Sequence, residues 1–183
     1  MNSRDVWSHG GRRSDLIDLL SSAFLMLLIT KNSKDKNWPV YLSSPWITDF
    51  QLCENGFLQF ASLFPEIADK KQILFSDYLA ELGKAREVRI ITREDKYSKD
   101  FLAHENIKDT KNIEARFSDP EHHEKGILTP FFYIFGSMNL TYHGVTINGE
   151  KITYYAAGTE YGNEKIGHTY IEFDRLWENI QRK

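Results

Sequence analysis

The sequence predicts an α/β domain with a mixed, mostly parallel sheet flanked by helices on both faces, and three observations lead there. Val88 to Thr92 is a continuous run rich in β-branched residues, the pattern of a strand buried on both sides. A helical stretch from Tyr97 to Glu105 separates it from a second strand, Ile113 to Phe117, which makes a βαβ unit and so a parallel pair. Helical segments at both ends of the chain supply the covering layers. The 183 residues, 41% of them hydrophobic, suffice for one domain with a sizeable core. Residues 1 to 13 read as an extended N-terminal arm and 14 to 183 as a single domain.

In chain order, Gly10-Gly11-Arg12-Arg13 is a loop and Ser14 an N-cap for a mostly buried helix from Asp15 to Ile29, with Asp15 and Asp18 in its first turn. Lys31 to Asn37 is a charged turn. Pro39 to Ser43 reads as a strand that breaks at Pro45. Between residues 50 and 72 the signal is poor; Phe57, Phe60, Leu63 and Phe64 suggest a short helix closed by Pro65. Ser76 is a candidate cap for a helix from Asp77 to Leu82, with Gly83 at its end. A strand from His122 to about Leu128 turns at Thr129-Pro130 into a return strand, Phe131 to Phe135. Thr141 to Gly149 is loop or short helix, Lys151 to Ala157 a strand, and Glu164 to Ile180 a closing helix.

A net charge of −3 and a pI near 6.1 give no global attraction to nucleic acid, although a local basic groove would suffice. Lys84, Arg86, Arg89, Arg93 and Lys96, clustered around the central strand, are candidates for such a groove; a solvated edge is the plainer reading. The single Cys53 excludes an internal disulfide and a multi-cysteine zinc site, and fits a reducing cytoplasm. The most apolar run, Ala23 to Ile29, is shorter than the roughly 20 residues of a membrane span. No membrane association is expected.

The chemistry concentrates between His122 and Glu150. His123 and Lys125, two apart, would share one face of a strand, pairing a nucleophile or base with a fixed positive charge. Gly136-Ser137-Met138-Asn139 adds a turn with a hydroxyl and an amide, and Asn148-Gly149-Glu150 adds a carboxylate. Together these residue types make a phosphate pocket. Taken alone, His123 would be an ordinary strand histidine and Lys125 a solvated side chain. His122 would face the opposite way, towards packing or surface. A zinc site from His122, His123, His143 and His168 lacks any familiar ligand spacing, and Lys125 would repel the ion.

The three motifs, in this order, resemble those of the phospholipase D superfamily: His-x-Lys, Gly-Ser-x-Asn, then Asn-x-Glu. The family's Asp, five residues beyond the Lys, is replaced by Pro130, and the link from Lys125 to Gly136 is one residue short. The resemblance implies a sandwich-like α/β fold and metal-independent phosphodiester hydrolysis through a phosphohistidine, with no cofactor. It makes His123 the nucleophile or general acid, Lys125 and Asn139 phosphate ligands, Ser137 a hydroxyl donor, and Glu150 the carboxylate that fixes the histidine's tautomer. Ser44 and Trp46, in a Ser-Pro-Trp segment beside the site, with Arg93 and His143, would bind substrate. A single motif copy implies a homodimer with one composite site. Gly11 to Ile17, Ser44 to Asp49 and Ile91 to Arg93 further resemble the DpdK-type proteins encoded with bacterial 7-deazapurine DNA-modification systems. This implies a role beside DNA modification or its associated restriction, with other proteins of such a system as partners, while the short length, the composition and the absence of a lipid-anchoring segment favour DNA over phospholipid as substrate. A DNA-binding subunit without turnover and a phospholipid hydrolase are the competing expectations.

Overall fold

The computed structural model describes residues 3–7, 15–30 and 38–180. The predicted cap at Ser14, the loop at 10–13 and the turn at 31–37 lie outside them.

A seven-stranded sheet runs through the molecule. Its strands are β1 (Arg4–Trp7), β2 (Val40–Ser43), β5 (Val88–Arg93), β6 (Ile113–Ser118), β7 (Gly126–Leu128), β8 (Phe132–Gly136) and β9 (Lys151–Ala156), in the spatial order β1-β9-β8-β7-β2-β5-β6. A small hairpin, β3 (Gln51–Glu54) with β4 (Gln72–Leu74), stands apart from it. The helices are α1 (Asp15–Ile29), α2 (Phe75–Gly83), α3 (Lys96–Leu102), α4 (Glu105–Lys108) and α5 (Glu160–Asn179).

Strand alternation divides the core into two layers. Val40, Leu42, Val88, Ile90, Ile127, Phe132, Ile134 and Ile152 point to the face covered by α1 and α2, where Phe24 stacks on Tyr78 at 4.8 Å and Phe50 on Phe75 at 4.7 Å. Tyr41, Ile91, Leu128, Tyr133 and Tyr155 point to the other face and meet Ile166, Tyr170, Phe173 and Trp177 of α5. Each fully buried large side chain contributes about 1.5–3 kcal/mol, so both layers are needed to hold the sheet.

Three expectations require correction. The sheet is mixed but not mostly parallel: only β2–β5 and β5–β6 are parallel, while β2–β7, β7–β8, β8–β9 and β1–β9 are antiparallel. The link between β7 and β8 is too short for a crossover, so these strands form a hairpin, and β9 then returns antiparallel beside β8. Within the supposed arm, Arg4–Trp7 is an edge strand paired with β9, with Val6 turned into the core. The helix expected around Phe57 to Phe64 is a set of turns with a 3₁₀ turn at Pro65–Ile67. Leu58 takes a left-handed φ of 56° and Phe57 is 95% exposed, so the apolar spacing there does not mark one buried face.

Capping also differs in detail. Helix α2 begins one residue before Ser76, and the Asp49 carboxylate accepts from both the backbone N–H and the hydroxyl of Ser76, at 3.0 and 2.6 Å. Gly83 belongs to that helix, and a Cβ there would lie 2.5 Å from Thr110.

Candidate functional site

One edge of the sheet collects every motif. The carboxyl ends of β2, β5 and β8 and the amino ends of β7 and β9 meet there, the place where open α/β sheets generally form ligand crevices. Register fixes this: Ser43 pairs with Gly126, Gly126 with Phe135, and Gly136 with Ile152.

His122 to Lys125 is not strand. It is the approach to β7, which starts at Gly126. His123 and Lys125 nevertheless meet, with Lys125 Nζ 2.9 Å from the His123 carbonyl and 3.3 Å from its ring Nδ1. Lys125 is half-buried, and its pKa is lowered by burial and by Arg93, against the opposing pull of Glu150. A phosphate entering here would find an ammonium that has already lost part of its water.

The turn that follows β8 is held differently. The Ser137 N–H donates to Lys151 O (3.0 Å), and its hydroxyl donates to the Glu150 carboxylate. Lys151 N–H donates back to the Ser137 hydroxyl at 3.1 Å. Gly136 is required by close approach: a Cβ would stand 2.1 Å from Lys151 O. Beyond it, Leu140 N–H donates to the Ser44 hydroxyl (3.0 Å), and Thr48 N–H to Leu140 O (3.0 Å). These bonds draw the Ser44-Pro45-Trp46 segment against the turn. Asn139 is half-buried, and its Oδ1 is buried without a donor among the described residues. The π-helical turn His143–Ile147 packs behind it, with Gly144 in the cradle: a Cβ there would meet Asn139 O at 2.3 Å.

The tautomer-fixing role expected of Glu150 is not the arrangement seen. Glu150 is buried, and its carboxylate accepts from Ser137 and, at 3.3 Å, from Asn148 Nδ2. The group beside His123 Nδ1 is Lys125 Nζ, not a carboxylate.

Arg93 sits at the end of β5, donates from Nε to the His122 carbonyl at 2.7 Å, and lies over the Trp46 ring at 5.1 Å. Ser44 is buried and donates to Trp46 O at 2.6 Å. His143 is exposed on the π turn, edge-on to Tyr142 at 5.6 Å, and its backbone carbonyl accepts from the Asn148 N–H at 2.8 Å.

Of the five basic residues expected to line a groove, four do not. Lys84 pairs with Glu66 and Glu81, Arg89 with Glu87 and Asp174, and Lys96 with Asp100, while Arg86 is buried and donates to Thr30 O. Of the five, only Arg93 reaches the site: Arg89 shares its face but lies at the other end of β5, Lys84 and Arg86 precede the strand, and Lys96 is on α3.

Two residues passed over in the sequence join the site. His122 does turn away from Lys125, but into a partner: its Nε2 is 2.9 Å from the Ser43 hydroxyl. Burial, then Arg93, Lys125 and His123, lower its pKa and keep it neutral. The pair of serines at the end of β2, one for each side of the edge, was the available signal.

Pro130 stands in the β7–β8 turn, where the Thr129 hydroxyl accepts from Phe131 and Phe132 N–H at 3.2 and 2.9 Å. That turn lies at the opposite end of the strands, roughly 15 Å from Lys125 at ~3.3 Å per residue. An Asp at this position would therefore stand away from His123 and Lys125.

No protein-family model matches the chain, and no curated protein matches it by sequence. Solved structures do share its fold. Nuc from Salmonella typhimurium, a phospholipase D family member, superimposes with a TM-score of 0.59 at 14% identity, over 98% of this chain and 97% of that one. NucT from Helicobacter pylori gives 0.54 at 12% identity, over 97% and 98%. The archaeal chromatin protein TrmBL2, whose structure shows a novel mode of DNA binding, gives 0.53 at 10% identity, over 99% of this chain and 54% of that one. The fold is thus phospholipase D-like across the described chain, in agreement with the fold expected from the motifs. Among the described residues no helix is long and apolar enough to cross a membrane.

Proposed function

We propose that this chain is a metal-independent phosphodiesterase of the phospholipase D type acting on DNA. The observation that carries the reading is the convergence of three motifs on one sheet edge. Lys125 contacts His123, Gly136 N–H reaches Lys125 O at 3.4 Å, and Ser137 binds Glu150. The residues join in this way within a fold shared with phospholipase D family members.

In the proposed reaction, Nε2 of His123 attacks phosphorus as the bond to the leaving alkoxide breaks. Lys125, Asn139 and the Ser137 hydroxyl stabilise the charge on the phosphoryl oxygens. A second protonated histidine gives its proton to the alkoxide, and water then hydrolyses the phosphohistidine. In a homodimer that second histidine is the partner copy's equivalent of His123, brought across a two-fold axis. The likeness of residues 11–17, 44–49 and 91–93 to DpdK-type proteins supports a setting beside DNA modification or restriction, with other proteins of that system as partners.

The test is cleavage of labelled plasmid and single-stranded DNA in excess EDTA by wild type and His123→Ala. EDTA-resistant cleavage that the variant lacks is the expected result; cleavage abolished by EDTA would overturn the mechanism. A DNA-binding subunit without turnover is the second reading, favoured by the fold shared with TrmBL2. It predicts that neither protein cuts, while wild type binds DNA and Lys125→Ala does not.

A further inference from the structure

Three aromatic–cation pairs stand along the same sheet edge as the phosphate pocket. At one end Arg93 lies 5.1 Å from the Trp46 ring. In the middle Lys165 of α5 lies 5.9 Å from the ring of Phe135, the last aromatic of β8. At the far end Lys151 Nζ lies 5.0 Å from the ring of Trp7, which closes β1. Strand alternation puts Arg93, Phe135, Lys151 and Trp7 on one face, the α5 face: Trp7 is opposite Lys151, Phe135 opposite Thr153, and Arg93 continues the side of Ile91. Trp7 is 58% and Trp46 36% exposed, although indole is among the groups that most reward burial. From β1 to β5 is five strand spacings, roughly 24 Å at ~4.8 Å each, and His123, Lys125 and Ser137 fall between the ends.

We propose that Trp7 and Trp46 are stacking platforms for bases on either side of the cleaved linkage, with Lys151, Lys165 and Arg93 tracking the backbone, so that the substrate is a single-stranded nucleic acid. This rests on the phosphodiester reading above and names its substrate class. A ring that stacks on bases needs them unpaired, because a duplex buries its base faces; each base–aromatic stack is worth about 5- to 150-fold in affinity. Lipid head groups carry a phosphate but no planar group for an indole. Acids also lie on this face: Asp5 is 3.8 Å from Lys151, and Glu124 is held towards its neutral form by burial and by Glu172. The track is thus only locally basic, which places the weight on stacking and lowers the salt dependence.

The experiment measures binding in EDTA using His123→Ala protein, so turnover does not enter. The probes are a labelled single-stranded oligonucleotide, its abasic counterpart, the corresponding duplex, and phosphatidylglycerol vesicles. The expected order is single strand above duplex and abasic strand by tenfold or more. Trp7→Ala and Trp46→Ala should each lose about tenfold for the base-bearing strand and nothing for the abasic one, with Trp7→Phe restoring most of the loss. Equal affinity for abasic and base-bearing strands, or preferential vesicle binding, overturns the proposal. So does a Trp7→Ala loss that accompanies a change of oligomeric state and is the same for both strands. Cleavage by wild type and His123→Ala, run separately, judges the phosphodiester reading on its own.

Discussion

The two halves of the site are held in opposite ways. Gly136 to Leu140 is clamped through its backbone, by Lys151 on one side and by Ser44 and Thr48 on the other, with glycines wherever main chains nearly touch. His122 to Lys125 has backbone bonds only at its two ends, to Asp119 and Gly136, and is otherwise held by side chains: Ser43 on His122, Arg93 on the His122 carbonyl, and Lys125 folding back onto His123. The contrast suits the chemistry assigned to each. An amide and a hydroxyl that stabilise charge serve best when fixed. In the proposed reaction the histidine and lysine must adjust as phosphate arrives, which side-chain tethers permit.

This comparison can be broken at several points. The largest effect expected is on turnover: His123→Ala should lower the EDTA-resistant cleavage rate by about a thousandfold or more, with little change in melting temperature because His123 is exposed. Next, Gly136→Ala should destabilise the protein by about 3 kcal/mol, since its Cβ meets the β9 backbone rather than a yielding side chain; chemical denaturation reads this directly. An Ala at 136 that unfolds like wild type would mean the clamp is looser than its bonds suggest.

The side-chain tether is expected to be weaker and pH-sensitive. The His122 pKa is lowered in the folded state, so between the folded value and the unfolded value near 6.5 the unfolded chain binds the extra proton. Stability should therefore be fully present above about pH 6.5 and fall as pH drops through that window. His122→Asn should flatten this slope, which a pH series of melting curves would show. The smallest effect is Ser43→Ala, which removes one bond to His122 and should cost about 1 kcal/mol.

The sequence was most legible where one physical signal acted alone. The run at Val88, the helix from Asp15 to Ile29 and the closing helix all appear at or within a few residues of their expected bounds. In each, apolar period and burial agree. The motifs were legible as a set because they sit on neighbouring ends of strands. What could not be read was whatever depends on a distant partner. Arg4–Trp7 becomes a strand only because β9 is there to pair with it, and Asp49 becomes a helix cap only because the chain brings Ser76 beside it. The same applies to Glu150: its sequence position suits a histidine partner, yet Ser137 and Asn148 lie nearer in the folded chain.

The pairing of β1 with β9 joins segments far apart in the described chain, Arg4 with Tyr154 and Trp7 with Lys151. During synthesis, therefore, β1 emerges early and waits for almost the whole domain before its partner exists, the kind of long-range contact that slows folding. Without β1, the outer side of β9 would present an open row of backbone donors and acceptors to any neighbouring chain. An expression form trimmed at residue 8 would keep every motif residue yet leave that row permanently uncovered. It should be recovered in lower soluble yield, a loss that activity alone would misattribute to the site.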